Sequence, residues 1–301
     1  MNKDHLGYLL ATLTAMIYGV SFIFTKSASA TFSALQIPGW RFTLAFFTLF
    51  ILYKLGVVKM HFSREALGHF IPLVILFPMS FYIINTYAIK LTSASESGII
   101  LATIPLVTVL LNDIINKEKP YKEQILGILL TFIGIGSSLI GGAFSPTFSP
   151  LGYLLLLIAV LSFSAYGVII YNEKILGSLE KTYIVIGICA LFYTLFGLTE
   201  GLLQGSFLNY VRVLKESAFL PALFYLGLLA TVIAFFMNIS AIDILGVARN
   251  SVFECVSTLT SMIAGLIILK EPHTLFKLLT TAFIIIGIII ASSRGYRKGR
   301  L

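Results

Sequence analysis

The sequence predicts an all-α polytopic membrane protein: ten transmembrane helices in two inverted five-helix repeats. Three observations predict this fold class. Hydrophobic residues make up 58% of the 301 positions and charged residues 11%, with a mean hydropathy of +0.97, far from the roughly 25% charged residues of a soluble globular domain. The apolar residues gather into runs close to the ~20 residues that cross a hydrocarbon core at ~1.5 Å per residue. The second half of the chain also repeats the first in register.

The spans are expected at 6–25, 38–55, 70–90, 93–115, 125–143, 151–172, 183–203, 219–242, 246–269 and 278–293. The first could be a leader, because Ala28-Ser29-Ala30 resembles a cleavage site. Its apolar run exceeds the ~7 to 15 residues of a leader core, and Gly7-Tyr8-Leu9-Leu10 recurs as Gly152-Tyr153-Leu154-Leu155. A removable leader has no reason to be duplicated, so this run reads as span one. Pro78 and Pro105 lie within spans three and four, where each removes a backbone donor and should bend its helix. With both termini cytoplasmic, only Lys26, Lys90, Arg212, Lys215, Lys270 and Lys277 fall outside, and Arg41 falls in span two. The other fourteen of the 21 lysines and arginines then lie inside, a positive-inside bias. The net charge of +8 is therefore a topology signal rather than a nucleic-acid footprint. Cys189 and Cys255 sit singly in apolar runs and read as packing residues.

Residues 85–134 align without a gap to 238–287. Asn85, Ala88 and Ile89 match Asn238, Ala241 and Ile242, Lys117-Glu118 matches Lys270-Glu271, and Gly134-Ile135 matches Gly287-Ile288. Spans one and six align at a smaller offset, which implies an insertion in the second half. The units are residues 1–145 and 146–301, the latter ending in a basic tail. An odd number of spans per unit inverts the second, the arrangement that places a solute site near the midplane between halves.

Polar residues inside apolar spans mark candidate positions. In span nine, Asn250, Glu254, Ser257 or Thr258, and Ser261 recur at helical spacing and form one polar stripe. A charge at mid-depth costs about 2.5 to 3.5 kcal/mol on insertion scales, so Glu254 should face a cavity, be paired, or be protonated. The plain alternative is a neutral acid hydrogen-bonded between helices. Span one carries Thr14, Tyr18, Ser21 and Thr25, and span six Ser162, Ser164 and Tyr166. The hydroxyls alone read as packing, whereas Tyr18 and Tyr166 each bring a ring face and a polar tip and are candidates to line a pathway. Symmetry would put Asn85 and Asn238 on opposite walls of one cleft, accompanied by Tyr82 and its repeat partner Phe235. Amides offer donor and acceptor together, which suits a zwitterion. Arg41 is expected to snorkel to the outer interface, Glu96 to lie at an interface, and Asp113 and Asp243 to be hydrated at span ends. Glu118 and Glu271 are expected to hold turns between antiparallel helices.

A wider pattern runs over nearly the whole chain: Tyr18-Gly19 in span one, Arg41-Phe42 with Ala45 in span two, Tyr87-Ala88 closing span three, Pro105 before Glu118, then Gln124 and Gly127, with Ala241 and Glu271 repeating parts of it. In these residues the chain resembles the EamA family of the drug/metabolite transporter superfamily, whose members have ten spans in two five-span repeats. Thr258 departs from it, standing where the second repeat usually carries proline, which removes the reason for a kink in span nine. Trp40, the only tryptophan, weakens an aromatic-cage reading for a quaternary amine.

The expectation is a secondary transporter of the plasma (inner) membrane that moves a small polar metabolite such as an amino acid by alternating access. The resemblance implies export. Substrate-binding candidates are Tyr18, Tyr82, Asn85, Tyr166, Phe235, Asn238, Asn250 and Glu254, with Glu254 the proton-coupling group. No enzymatic activity, cofactor, metal or nucleic-acid partner is expected; the partners are a small-molecule substrate, the lipid bilayer and protons. A monomer suffices to enclose the site, and a homodimer is compatible with it. Two alternatives stand beside this reading. One is an obligate exchanger of nucleotide sugars or organic cations. The other is an intramembrane lipid-modifying enzyme, for which His5, His61, His69 and His273 are too scattered.

Overall fold

An apolar run in lipid has no water to satisfy its peptide groups, so it must close its hydrogen bonds within itself, and helix is the way one segment does so. The computed structural model describes residues 3–61, 68, 70–72, 74–75, 78–115, 122–123, 125–127, 129–130, 133–134, 137, 149–203, 205–206, 208–216, 219–270 and 275–292; among them there is no strand. The first half contains α1 (Lys3–Ser29), α2 (Gln36–Lys54), α3 (Pro78–Leu91), α4 (Ala94–Leu101) and α5 (Ile104–Ile115). The second contains α6 (Pro150–Asn172), α7 (Ser178–Leu203), α8 (Leu208–Arg212) and α9 (Phe219–Phe224), then a π-helical stretch Tyr225–Ile233 that continues into α10 (Ala234–Leu245). It ends with α11 (Val247–Ser251), α12 (Glu254–Ile268) and α13 (Leu275–Ser292). Span five, 125–143, lies largely outside the described residues, as do Glu118 and Glu271.

Among the described residues, five stretches are long and apolar enough to cross a membrane by length and composition: Lys3–Ser29, Glu96–Ile115, Pro150–Asn172, Ser178–Leu203 and Phe219–Leu245. The halves interlock. Helix α1 packs on α10 and α12 of the second half, while α6 packs on α3, α4 and α5 of the first. Two contacts close the bundle across the pseudo-symmetric seam, α2 on α7 and α4 on α12. Small residues allow the close approach. A Cβ placed on Gly19 would stand 2.5 Å from the Ser257 carbonyl oxygen, and one on Gly98 would stand 2.2 Å from Ser261 Oγ.

Spans four and nine are not continuous helices. Span four breaks at 102–103, and Pro105 is the second residue of α5. A proline in a first turn lacks a donor that would have had no partner anyway, so Pro105 marks a restart rather than a bend. Pro78 is the first described residue of α3, and because residues 76–77 lie outside the description the expected bend there is not part of it. Span nine breaks at 252–253 with Thr258 in place of the usual proline, so the kink that this residue put in question is present. There Phe253 N donates to Asn250 O (3.1 Å) and Cys255 N to Val252 O (3.2 Å), the tighter three-residue spacing of a 3₁₀ turn. Thr258 instead ties the halves together, donating to Gly98 O at 3.0 Å.

The break also divides the polar stripe of span nine. Ser257, Thr258 and Ser261 are buried in the seam with α1 and α4, so the upper stripe is packing. Asn250 and Glu254 line the two internal spaces described below.

At the other end of the bundle, Lys181 is 1% exposed and its Nζ lies 2.9 Å from Asp243 Oδ1. It also donates to Ile170 O (3.2 Å), and Ser178 Oγ donates to Asp243 Oδ2 (2.7 Å). Asp243 is thus paired rather than simply hydrated. Removing one partner of a buried pair strands the other. Asp243→Ala should lower stability by about 1 to 3 kcal/mol, and adding Lys181→Met should recover most of it, as read by unfolding in detergent micelles.

Candidate functional site

Between the halves lies a cavity in which about 50 Å³ is open to the centres of water-sized molecules, several times the ~10 to 15 Å³ that one water requires. Its polar wall comes from four helices of both halves: Tyr18, Ser21 and Thr25 of α1, Arg41 of α2, Tyr82 and Asn85 of α3, and Glu254 of α12. A second, narrower space of about 10 Å³ is lined by Tyr166, Asn238, Asn250 and again Glu254. Glu254 borders both. It is the first residue of α12, where the helix dipole favours a carboxylate, and among the described residues its carboxylate has neither hydrogen-bond nor ion-pair partner, Thr258 Oγ1 donating to the backbone oxygen alone.

The eight residues expected at the site fall in or between these two spaces. Tyr18, Tyr82 and Asn85 face the larger cavity, and Tyr166, Asn238 and Asn250 the smaller. Phe235 lines neither; it joins them, its ring 6.5 Å from Tyr82 and 5.9 Å from Tyr166 between centroids. Asn85 and Asn238 therefore border different spaces instead of facing each other across one. Asn250 Nδ2 donates to Asn238 Oδ1 at 2.8 Å. Four polar atoms of this set are buried without a partner among the described residues: Tyr18 Oη, Asn85 Oδ1, Tyr166 Oη and Asn250 Oδ1. Native structures rarely leave such groups unsatisfied, so their clustering marks a place that receives something polar.

The remaining hydroxyls expected as packing do pack. Thr14 Oγ1 donates to Ala234 O (3.4 Å), Ser164 Oγ to Ile104 O (3.2 Å), and Ser80 Oγ meets Ser162 Oγ at 3.1 Å. Glu96 is 2% exposed, covered by protein rather than open at the end of its span. It closes a capping box at the start of α4, accepting from Ser93 N while Ser93 Oγ accepts from Glu96 N, which satisfies two helix-end donors.

Arg41 is the site residue that sequence reasoning missed. It is 7% exposed and does not snorkel. The segment after α7 folds back over the start of α2, with Trp40 Nε1 donating to Tyr210 O (2.9 Å) and the two rings stacked at 5.1 Å. Under that roof Arg41 lines the cavity. Its Nε donates to Thr231 Oγ1 (2.5 Å) and its Nη2 to Ala230 O (3.4 Å), both in the π-helical stretch. The guanidinium carbon lies 4.9 Å from the Tyr82 ring centroid. The available signal was an arginine flanked by aromatic residues and followed by a run without charge from Phe42 to Tyr53.

A helical bundle of two interlocked repeats around a polar cavity is the architecture of a membrane transporter. The profile of the EamA-like transporter family matches residues 5–140 and again 150–293, and the chain belongs to that family. It is a transporter of the EamA type, within the drug/metabolite transporter superfamily. Over 290 residues, 94% of this chain and 91% of the relative, it is 28% identical to "Uncharacterized transporter YcxC" of Bacillus subtilis (strain 168). It is also 28% identical over 215 residues to "Uncharacterized transporter YetK" of the same organism, covering 70% of this chain and 63% of that one. A solved crystal structure at 18% identity superposes with a TM-score of 0.62 over 99% of this chain and 98% of that one, a likeness of fold.

Proposed function

We propose that the protein is a secondary transporter that exports a small polar metabolite, an amino acid or similar zwitterion, across the plasma membrane by alternating access. Ten spans in two inverted five-span units, 1–145 and 146–301, with both termini cytoplasmic, complete the reading. The observation that carries it is the cavity between the halves, where, among the described residues, Tyr18 Oη and Asn85 Oδ1 lack partners and the Glu254 carboxylate stands unpaired. An unpaired carboxylate in the membrane interior is a functional position by its cost alone. Here it borders both spaces, as a proton-coupling group would if it exchanged its proton first with one side and then with the other. The small enclosed volume suits an amino-acid-sized solute better than a nucleotide sugar.

The test is flux. Purified protein in liposomes with an acidic interior should accumulate amino acids from a labelled panel, and the accumulation should vanish when the gradient is collapsed. No flux of any panel member in either condition would count against the reading. Tyr18→Phe separates lining from packing. Deleting a hydroxyl that has no protein partner should leave thermal stability unchanged or slightly raised, while apparent solute affinity falls about 5- to 10-fold, the loss of one hydrogen bond. Unchanged affinity would return Tyr18 to the packing class.

A further inference from the structure

We propose that Arg41 is the anchor for a carboxylate on the transported solute, so that the site selects amino acids and other carboxylates over amines and uncharged metabolites. The inference rests on the transport reading above and names the chemistry of its solute. Arginine stays charged at any physiological pH, so its charge in a membrane interior must be met by something. The acceptors it has are both neutral, Thr231 Oγ1 and Ala230 O. Among the described residues no carboxylate lies within ion-pair distance of it. The Tyr82 and Phe42 rings, 4.9 and 5.7 Å away, offer cation–π attraction worth far less than a counter-anion in a desolvated site.

Two of the five guanidinium N–H donors are thus engaged, which fixes the plane of the group and leaves the rest to the cavity that Arg41 lines. A planar fork held on one edge is prepared for bidentate contact with a carboxylate. The hold itself comes from an unusual backbone. In the π-helical stretch Tyr225–Ile233, Thr231 Oγ1 donates to Leu226 O at 2.7 Å, and the same oxygen then accepts from Arg41. Such π segments recur at functional sites. Glu254 on the opposite half supplies the other sign in the same cavity whenever it is deprotonated, its carboxylate is also unpaired among the described residues, and the two groups are not within ion-pair distance of each other. A cavity with separated, uncompensated positive and negative groups is complementary to a zwitterion and mismatched to a cation.

The experiment uses the full chain in detergent and in liposomes, with L-alanine, L-threonine and L-phenylalanine as probes and ethylamine, 1-amino-2-propanol and phenethylamine as their counterparts lacking the carboxylate. Thermal stabilisation and flux are read for wild type, Arg41→Lys and Arg41→Gln. The expected result is stabilisation and flux with at least one amino acid and none with its amine. Apparent affinity should fall about 10-fold in Arg41→Lys, which keeps the charge but not the fork, and about 100-fold in Arg41→Gln. A merely structural arginine would lower the melting temperature without changing the ratio of amino acid to amine, so that ratio is the deciding readout. If Arg41→Gln does not fold, the ratio in Arg41→Lys decides. Equal response to amines and amino acids overturns the inference and leaves transport standing. No response to either series in the wild type, in stability or flux, overturns the zwitterion reading and the inference with it.

Discussion

Glu254→Gln abolishes the response of solute accumulation to an imposed pH gradient while leaving downhill exchange of the solute in place. One pH unit is worth about 1.4 kcal/mol per proton, so exchange of one proton for one solute sustains up to about a tenfold concentration ratio in wild-type liposomes. In the variant the ratio is one. Glutamine keeps the size and hydrogen-bonding capacity of glutamic acid but cannot titrate. A Glu254 that served only as glue between helices would therefore tolerate the change and keep its pH response, which is the contrary outcome. The structure makes glue a poor description, because the Glu254 carboxylate has no partner among the described residues and borders both internal spaces. Labelled uptake at matched and opposed pH on the two faces is the measurement.

The largest effect on stability is expected at Gly19→Val. A Cβ there would lie 2.5 Å from the Ser257 carbonyl oxygen and 2.6 Å from Thr260 Cβ. The first neighbour is backbone on α12 and cannot step aside unless the helix moves. Overpacking a rigid seam costs about 1 to 3 kcal/mol and occasionally more; with two contacts under 3 Å, Gly19→Val belongs at about 3 kcal/mol or beyond. Gly187→Ala in α7 is the control, since its Cβ would meet the Phe46 ring at 3.4 Å, an ordinary contact, and alanine is the better helix former by about 1 kcal/mol. Thermal unfolding in micelles should show Gly19→Val collapsed or strongly lowered and Gly187→Ala unchanged or raised. Equal behaviour of the two would mean that α1 does not pack against α12 as described.

Much of this site was legible because polar residues in apolar spans are few and helical spacing gives their common face. Tyr18, Tyr82, Asn85 and Glu254 meet around one cavity, although they come from three different spans, and the repeat register already linked Asn85 to Asn238. Periodicity names a face but not what covers it. Ser257 and Ser261 share the stripe of Glu254, yet α1 and α4 close over them, and only tertiary packing decides that. The break at 252–253 had no local signal, since the residue type that marks the break in span four is absent from span nine. Arg41 was misplaced for a longer-range reason. Its depth depends on residues 208–216 folding back over the start of α2, and nothing within span two records that roof. Asp243 reads as a hydrated end residue until Lys181, 62 positions away, is brought to it.

The most direct test of a wet pathway between the halves compares two single cysteines on α1 in a chain with Cys189 and Cys255 replaced by alanine. Ser21 is 7% exposed and faces the cavity, whereas Leu13 is 41% exposed on the outer surface of the bundle. A charged thiol reagent needs a hydrated thiolate. Ser21→Cys should therefore react, and the transported solute should slow the reaction, while Leu13→Cys in lipid stays silent despite its greater exposure. An unreactive Ser21→Cys beside a reactive Leu13→Cys would mean that water meets this helix on its outer face, and that the space between the halves is not the route.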